Sequence, residues 1–348
     1  MKKATIIILF ITVFTVSGMA IRLQSGSNKQ KLNKRLINGI QYSIYSEVKK
    51  SLQKGADPNV KIIDRYKNGH SALMLASKKG NIAIVRILIK HGAKVNYISR
   101  YGTTALMLAA KSGRYQSVSL LLKRGARVNI HEKIANLDTS SALLKACAAG
   151  YLNIVQLLVR YRANVHRKNK SGYNALHVAA MKGQTHIVRF LLSRRINVNV
   201  KSGYYSKTAL IFAAQDNHTD IVGLLLRHRA NKYMFDYNGH TAFHVAAANG
   251  NIETMKILLR YRFNINTQIF QKSGEGPPDK DTALICAVRQ NQFQAVKYLV
   301  SRGANIFIKN NAGRHALEVA RISYKYAKQN EKEITKKIYL YLKRVARR

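Results

Sequence analysis

The chain has 348 residues and carries sixty Lys and Arg against fifteen Asp and Glu, a formal charge of +45 with a pI near 10.5. Its two cysteines, Cys147 and Cys286, are not spaced as paired metal ligands, and no G-x-S-x-G, P-loop or H-E-x-x-H sequence occurs, so the familiar routes to hydrolase, nucleotide and zinc chemistry are missing. The charge instead points to an acidic or polyanionic partner, or to a general basicity of the source proteome.

In chain order, Met1-Lys2-Lys3 precedes an uncharged run from Ala4 to Ile21, with small residues at Gly18 and Ala20. A basic start, an apolar stretch and small residues at its end resemble a secretory signal cleaved after Ala20. The alternative is a membrane anchor formed by residues 4–21, which are just long enough to span. Arg22, Lys29, Lys31, Lys34 and Arg35 follow the run, and that downstream charge opposes simple export. The expectation is an exported product of a bacterium, periplasmic or secreted, with residues 1–20 as signal and residues 21–37 as a polar linker.

From residue 38 the chain becomes periodic. Alanine anchors at Ala72, Ala105, Ala142, Ala175, Ala209, Ala242, Ala283 and Ala316 are separated by 33, 37, 33, 34, 33, 41 and 33 residues. Eight residues after seven of these anchors stand Gly80, Gly113, Gly150, Gly183, Asn217, Gly250 and Asn291, residue types that tolerate a left-handed helix end. Thirteen residues after them stand Val85, Val118, Val155, Val188, Val222, Met255 and Val296, each within a second apolar segment. Each period therefore reads as two short helices, the first lined with small residues such as Ala109-Ala110, Ala179-Ala180 and Ala246-Ala247. One such pair cannot bury its own apolar surface, so stability must come from stacking.

This pattern resembles the ankyrin repeat family over roughly residues 38 to 330. The run from Tyr237 to Asn251, with His240-Thr241-Ala242-Phe243-His244 at its centre, is similar to the family consensus nearly position for position. The departures are Ala where the family starts its first helix with Pro, and a consensus histidine kept only as His177 and His244. The resemblance implies an all-α solenoid of about eight helix–turn–helix units with hairpin finger loops, capped at both ends, with those histidines bonding backbone between units. It also implies a non-enzymatic scaffold for protein–protein interaction, with no cofactor and no small-molecule substrate. Packed first helices would hold Cys147 and Cys286 too far apart to pair. A metal site on His240 and His244 is not expected, because one precedes the helix and the other is the structural histidine.

Two surfaces stand out as candidates. The fingers, which usually shape the family's recognition groove, pair bases with aromatics at Arg65-Tyr66-Lys67, Arg100-Tyr101, Tyr173, Tyr204-Tyr205 and Tyr237. Tyr66, Lys67, Arg100, Tyr101, Tyr173, Tyr204, Tyr205 and Tyr237 are the candidate contacts for an acidic protein, since Tyr and Arg anchor interfaces. Each Tyr could equally pack on the neighbouring finger. The second surface is a basic ribbon at the ends of the second helices. There Arg162, Arg195, Arg229 and Arg262 fill the slot held elsewhere by Gly92, Gly125 and Gly303. A cation is favoured at a helix C-terminus, but a left-handed slot would make a non-Gly residue costly. The ribbon supports an alternative function, binding of a polyanion such as nucleic acid, anionic lipid or polysaccharide. The chain is expected to act as a monomer.

The insertion from Phe270 to Asp281, with Gly274, Gly276, Pro277 and Pro278, is expected to be the most mobile loop. Residues 331–348 place Ile334, Ile338, Leu342 and Val345 on one face and read as a basic capping helix.

Overall fold

The computed structural model describes residues 28–62, 69–131, 141–269 and 280–347. Its contacts divide the chain into an N-terminal unit ending at Asn164 and a C-terminal unit beginning at Val165.

The N-terminal unit opens with a helix pair, α1 (Asn28–Gln41) and α2 (Tyr45–Gln53), followed by a two-residue hairpin, β1 (Lys61–Ile62) and β2 (His70–Ser71). The hairpin is antiparallel, pairing Lys61 with Ser71 and Ile62 with His70. Three pairs follow: α3 (Ala72–Lys79) with α4 (Ile82–Lys90), α5 (Ala105–Lys111) with α6 (Tyr115–Lys123), and α7 (Ala142–Ala149) with α8 (Leu152–Arg160). The C-terminal unit holds five more: α9 (Ala175–Met181) with α10 (Thr185–Ser193), α11 (Ala209–Gln215) with α12 (Thr219–Arg227), α13 (Ala242–Ala248) with α14 (Ile252–Arg260), α15 (Ala283–Arg289) with α16 (Phe293–Ser301), and α17 (Ala316–Tyr326) with the closing helix α18 (Lys332–Val345). Within each unit, first helices pack on first helices and second on second. That is the layered, all-α architecture of a solenoid.

Every alanine anchor is the first residue of its helix because the residue before it is a cap. The side chains of Ser71, Thr104, Ser141, Asn174, Thr208 and Thr282 each accept the backbone N–H three residues on, which satisfies one of the orphan donors of a helix start. The end signal is equally direct. Gly80 and Gly150 close their helices at φ 84°, and Asn217 and Asn291 adopt φ 56° at the same point. Ala109, Ala110, Ala179, Ala180, Ala246 and Ala247 are fully buried, and Leu121, Leu158, Leu191 and Leu225 fill the space behind them.

Residues 21–37 are not all linker. Helix α1 starts at Asn28, with Leu36, Ile37 and Ile40 buried against α2, where Val48 and Leu52 face them. Asn33 Oδ1 accepts the Asp57 N–H at 2.8 Å and ties the helix to the next turn. Its first turns are polar because they face solvent, although apolar residues recur at i, i+4, i+5 and i+8 from Leu32. The expected signal or anchor lies outside the described residues. At the other end, α18 buries Ile338 and Leu342 against α17 and α16. No helix among the described residues is long and apolar enough to cross a membrane.

Candidate partner-binding surface

The fingers of the C-terminal unit are fastened to one another at their tips. Gly203 N–H donates to Ser171 O at 3.0 Å, and Tyr237 N–H donates to Tyr205 O at 2.9 Å. Three consecutive fingers are thereby joined by backbone alone. The approach at 171–172 and 203 is close enough to require glycine on both sides. A Cβ on Gly172 would lie 2.0 Å from Gly203 N, and one on Gly203 would lie 2.7 Å from Ser171 O.

This fastening presents an aromatic cluster to solvent. Tyr204 is 74% exposed and Tyr205 57%. The Tyr204 ring stacks on Tyr237, with centroids 5.2 Å apart, and meets Tyr205 edge-on at 5.4 Å. Lysines of the same fingers make contacts of their own. Lys201 Nζ lies 4.3 Å from the Phe235 ring centroid, Lys168 Nζ donates to Lys201 O at 2.8 Å, and Lys207 Nζ donates to Gln215 Oε1 at 2.6 Å. Large, half-fixed aromatic surface beside cations can contact a partner at small entropic cost.

The other expected contacts fare differently. Tyr66 and Lys67 lie outside the described residues. Arg100 is exposed, with its guanidinium 5.8 Å from the ring centroid of a half-buried Tyr101. Tyr173 does not belong to the surface, because it is only 8% exposed. It stands just before the capping Asn174, and its ring packs edge-on against Phe212 at 5.5 Å and beside His177. Tyr97, which sequence reasoning passed over, also bridges fingers, donating its hydroxyl to Gly69 O at 3.0 Å. Nothing in the sequence separates these roles, since each is a Tyr within a polar finger.

Both consensus histidines serve the scaffold. His177 Nδ1 accepts the Asn174 N–H at 3.2 Å, so Nε2 carries the proton and donates to Val200 O at 2.9 Å. His244 repeats this with Thr241 and with Thr267 O at 2.9 Å. Burial first of all lowers both to a pKa of about 4, because a charged imidazole would lose its hydration there. Cys147 and Cys286 are buried and are not joined in a disulfide, and burial pushes the Cys147 thiol up. In the long insertion, residues 270–279 lie outside the described residues. Asp281, at its end, is 2% exposed and receives Arg289 Nε at 2.6 Å and Asn310 Nδ2 at 2.8 Å. It is a structural anchor. Among the described residues no three potential metal ligands come together.

The slots after the second helices are left-handed whichever residue fills them. Gly92, Gly125 and Gly303 have φ of 88°, 78° and 85°, while Arg162, Arg195, Arg229 and Arg262 have 65°, 55°, 62° and 58°. All four arginines are exposed. Hydrogen bonds from the preceding pair hold this turn. Asn59, Asn96 and Asn129 each donate Nδ2 to the slot carbonyl of Gly92, Gly125 and Arg162, and each accepts the N–H two residues further on. Arg162 therefore sits in a turn held by its surroundings, whose bonds offset the Cβ cost, and at the Arg229 turn Asn231 N–H likewise donates to Asn199 Oδ1.

Comparison with known proteins agrees with this geometry. Residues 36–132, 128–202 and 198–269 match ankyrin repeats in sets of three copies, and residues 279–311 match a single ankyrin repeat. The chain belongs to the ankyrin repeat family. Among solved structures, the ankyrin repeat domain of human ASB11 is similar, with a TM-score of 0.56 and 25% identity over 65% of this chain and 96% of that one. No curated protein sequence matches. Ankyrin repeats generally mediate protein–protein interaction and typically carry no catalysis.

Proposed function

We propose that this ankyrin repeat protein is a non-enzymatic scaffold whose basic, tyrosine-rich fingers bind an acidic protein. One observation carries the reading: Tyr204 and Tyr205 are held out to solvent on fastened fingers whose sequences also carry Lys168, Lys201 and Lys207. A folded protein does not gain stability by exposing two adjacent tyrosine rings, whereas a partner that covers them gains area and displaces water. Between Pro58 and Gln215 the sequence has 27 Lys and Arg and three acids, which favours an acidic surface and speeds its encounter. We place the protein outside the cytoplasm, exported or held by residues 4–21. Intact-mass measurement of protein expressed in a Gram-negative host distinguishes these, since cleavage after Ala20 leaves Ile21 first.

The arginines in left-handed slots favour a second reading, in which the ribbon grips a polyanion. The two separate by mutation. Changing Arg100, Tyr101, Tyr204 and Tyr205 to Ala should weaken capture of a discrete protein partner by several kcal/mol. Changing Arg162, Arg195, Arg229 and Arg262 to Gly should mainly slow its association. Reversed sensitivities, with a flattened dependence of log affinity on log salt, would instead support the polyanion. The assay is a pull-down from the source organism followed by binding kinetics at two salt concentrations.

A further inference from the structure

A hollow of about 760 Å³ lies on the second-helix face of the C-terminal unit, across α10, α12 and α14, away from the fingers. Gly223 lines its middle, and this is the only glycine inside a second helix of any repeat. Fourteen residues after six of the other anchors, the same position holds Arg86, Ser119, Gln156, Arg189, Lys256 or Lys297. A mid-helix glycine costs roughly 0.8–1 kcal/mol relative to alanine. Packing does not demand it, because an added Cβ would meet nothing nearer than Arg227 Nη1 at 3.7 Å. Its effect is to open the hollow.

The walls have a defined chemistry. Arg189, Arg227 and Arg260 come from the second helices of three successive repeats; all three are exposed, and no protein group among the described residues pairs with their guanidiniums. Tyr261 adds a half-buried ring, and Asp220 stands at the N-terminal end of α12 as an acceptor. Three unpaired forks suit phosphate oxygens, which accept them bidentately. The ring suits a flat or apolar carrier, and the carboxylate suits hydroxyl groups on it. The hollow is open to solvent, which suits a charged, soluble ligand better than an apolar one.

We propose that this hollow binds a soluble, hydroxylated organic ligand bearing two or more phosphates. The inference is independent of the finger reading, because it rests on a different face. Calorimetric titration of the full-length protein with ATP, with tripolyphosphate as the carrier-free probe, tests it. The expected result is saturable binding of ATP, weaker binding of tripolyphosphate, and at least tenfold loss of ATP affinity in Gly223→Gln, which fills the hollow at unchanged charge. Gly223→Ala, read by thermal melting, checks that the helix accepts a side chain and should melt no lower than the parent. Arg227→Ala with Arg260→Ala should lose more than tenfold, while Lys123→Ala with Arg124→Ala, an equal charge loss elsewhere, should lose less than threefold. Undiminished binding by Gly223→Gln, equal loss in the Lys123 and Arg124 pair, or retention only on vesicles carrying phosphorylated lipid would each overturn the proposal.

Discussion

The fingers around Tyr173 and around Tyr204-Tyr205 carry similar sequences, Lys-Ser-Gly-Tyr and Lys-Ser-Gly-Tyr-Tyr, yet their tyrosines do opposite things. Tyr173 leads straight into the capping Asn174, so its ring turns under the finger and onto Phe212. Tyr204 and Tyr205 are followed by Ser206 at φ 51° and by Lys207 before the capping Thr208. The added residues lift both rings clear of the first helix. Spacing from the cap separates these two fingers, but Tyr237, as far from its cap as Tyr204, is half-buried, so the neighbouring finger also decides whether a ring is covered or exposed.

The sharpest way to break that contrast is to remove each ring. Tyr173→Ala should lower stability by about 3–5 kcal/mol, the usual cost of deleting a buried aromatic, whereas Tyr204→Ala should stay within about 0.5 kcal/mol. Denaturant midpoints measure both, and equal shifts would erase the distinction.

Acid should act on the buried finger and not on the exposed one. His177 lies beside Tyr173, and its folded pKa of about 4 is below the ordinary 6.5. The unfolded chain therefore binds more protons between those values, and stability present above pH 6.5 is lost as pH falls toward 4. The loss approaches about 3 kcal/mol for each of His177 and His244. Melting from pH 7 to pH 4 with and without His177→Gln checks this, and the variant should show a shallower decline.

Arg229→Gly should raise stability by about 1–2 kcal/mol, because glycine enters the left-handed slot without a Cβ penalty. A gain without loss of partner binding would show that the slot arginines, unlike the finger tyrosines, are not contacts. A somewhat smaller shift than that of Arg229→Gly, and of opposite sign, is expected from Gly203→Ala, which should break the hydrogen bond to Ser171 and cost about 0.5–1.5 kcal/mol. Faster amide exchange at Tyr237 would show the Tyr204 finger loosening, while amides around Tyr173 stay protected.

The anchors, the Gly and Asn helix ends and the Val85-to-Val296 series were legible because each reports a local rule, a cap, a left-handed turn or an apolar period, repeated at least seven times. The left-handed conformation at Arg162, Arg195, Arg229 and Arg262 could be inferred from the same register. The sequence concealed the start of α1, because polar residues at Lys29, Lys31, Lys34 and Arg35 describe a solvent face as well as they describe a linker. It also could not sort the tyrosines or reveal Asp281 as an anchor. Those outcomes depend on which neighbouring finger or helix lies within a few ångströms. The hollow over Gly223 is the clearest case. One missing side chain is visible in the sequence, but only the stacking of three helices turns it into a space lined by Arg189, Arg227 and Arg260.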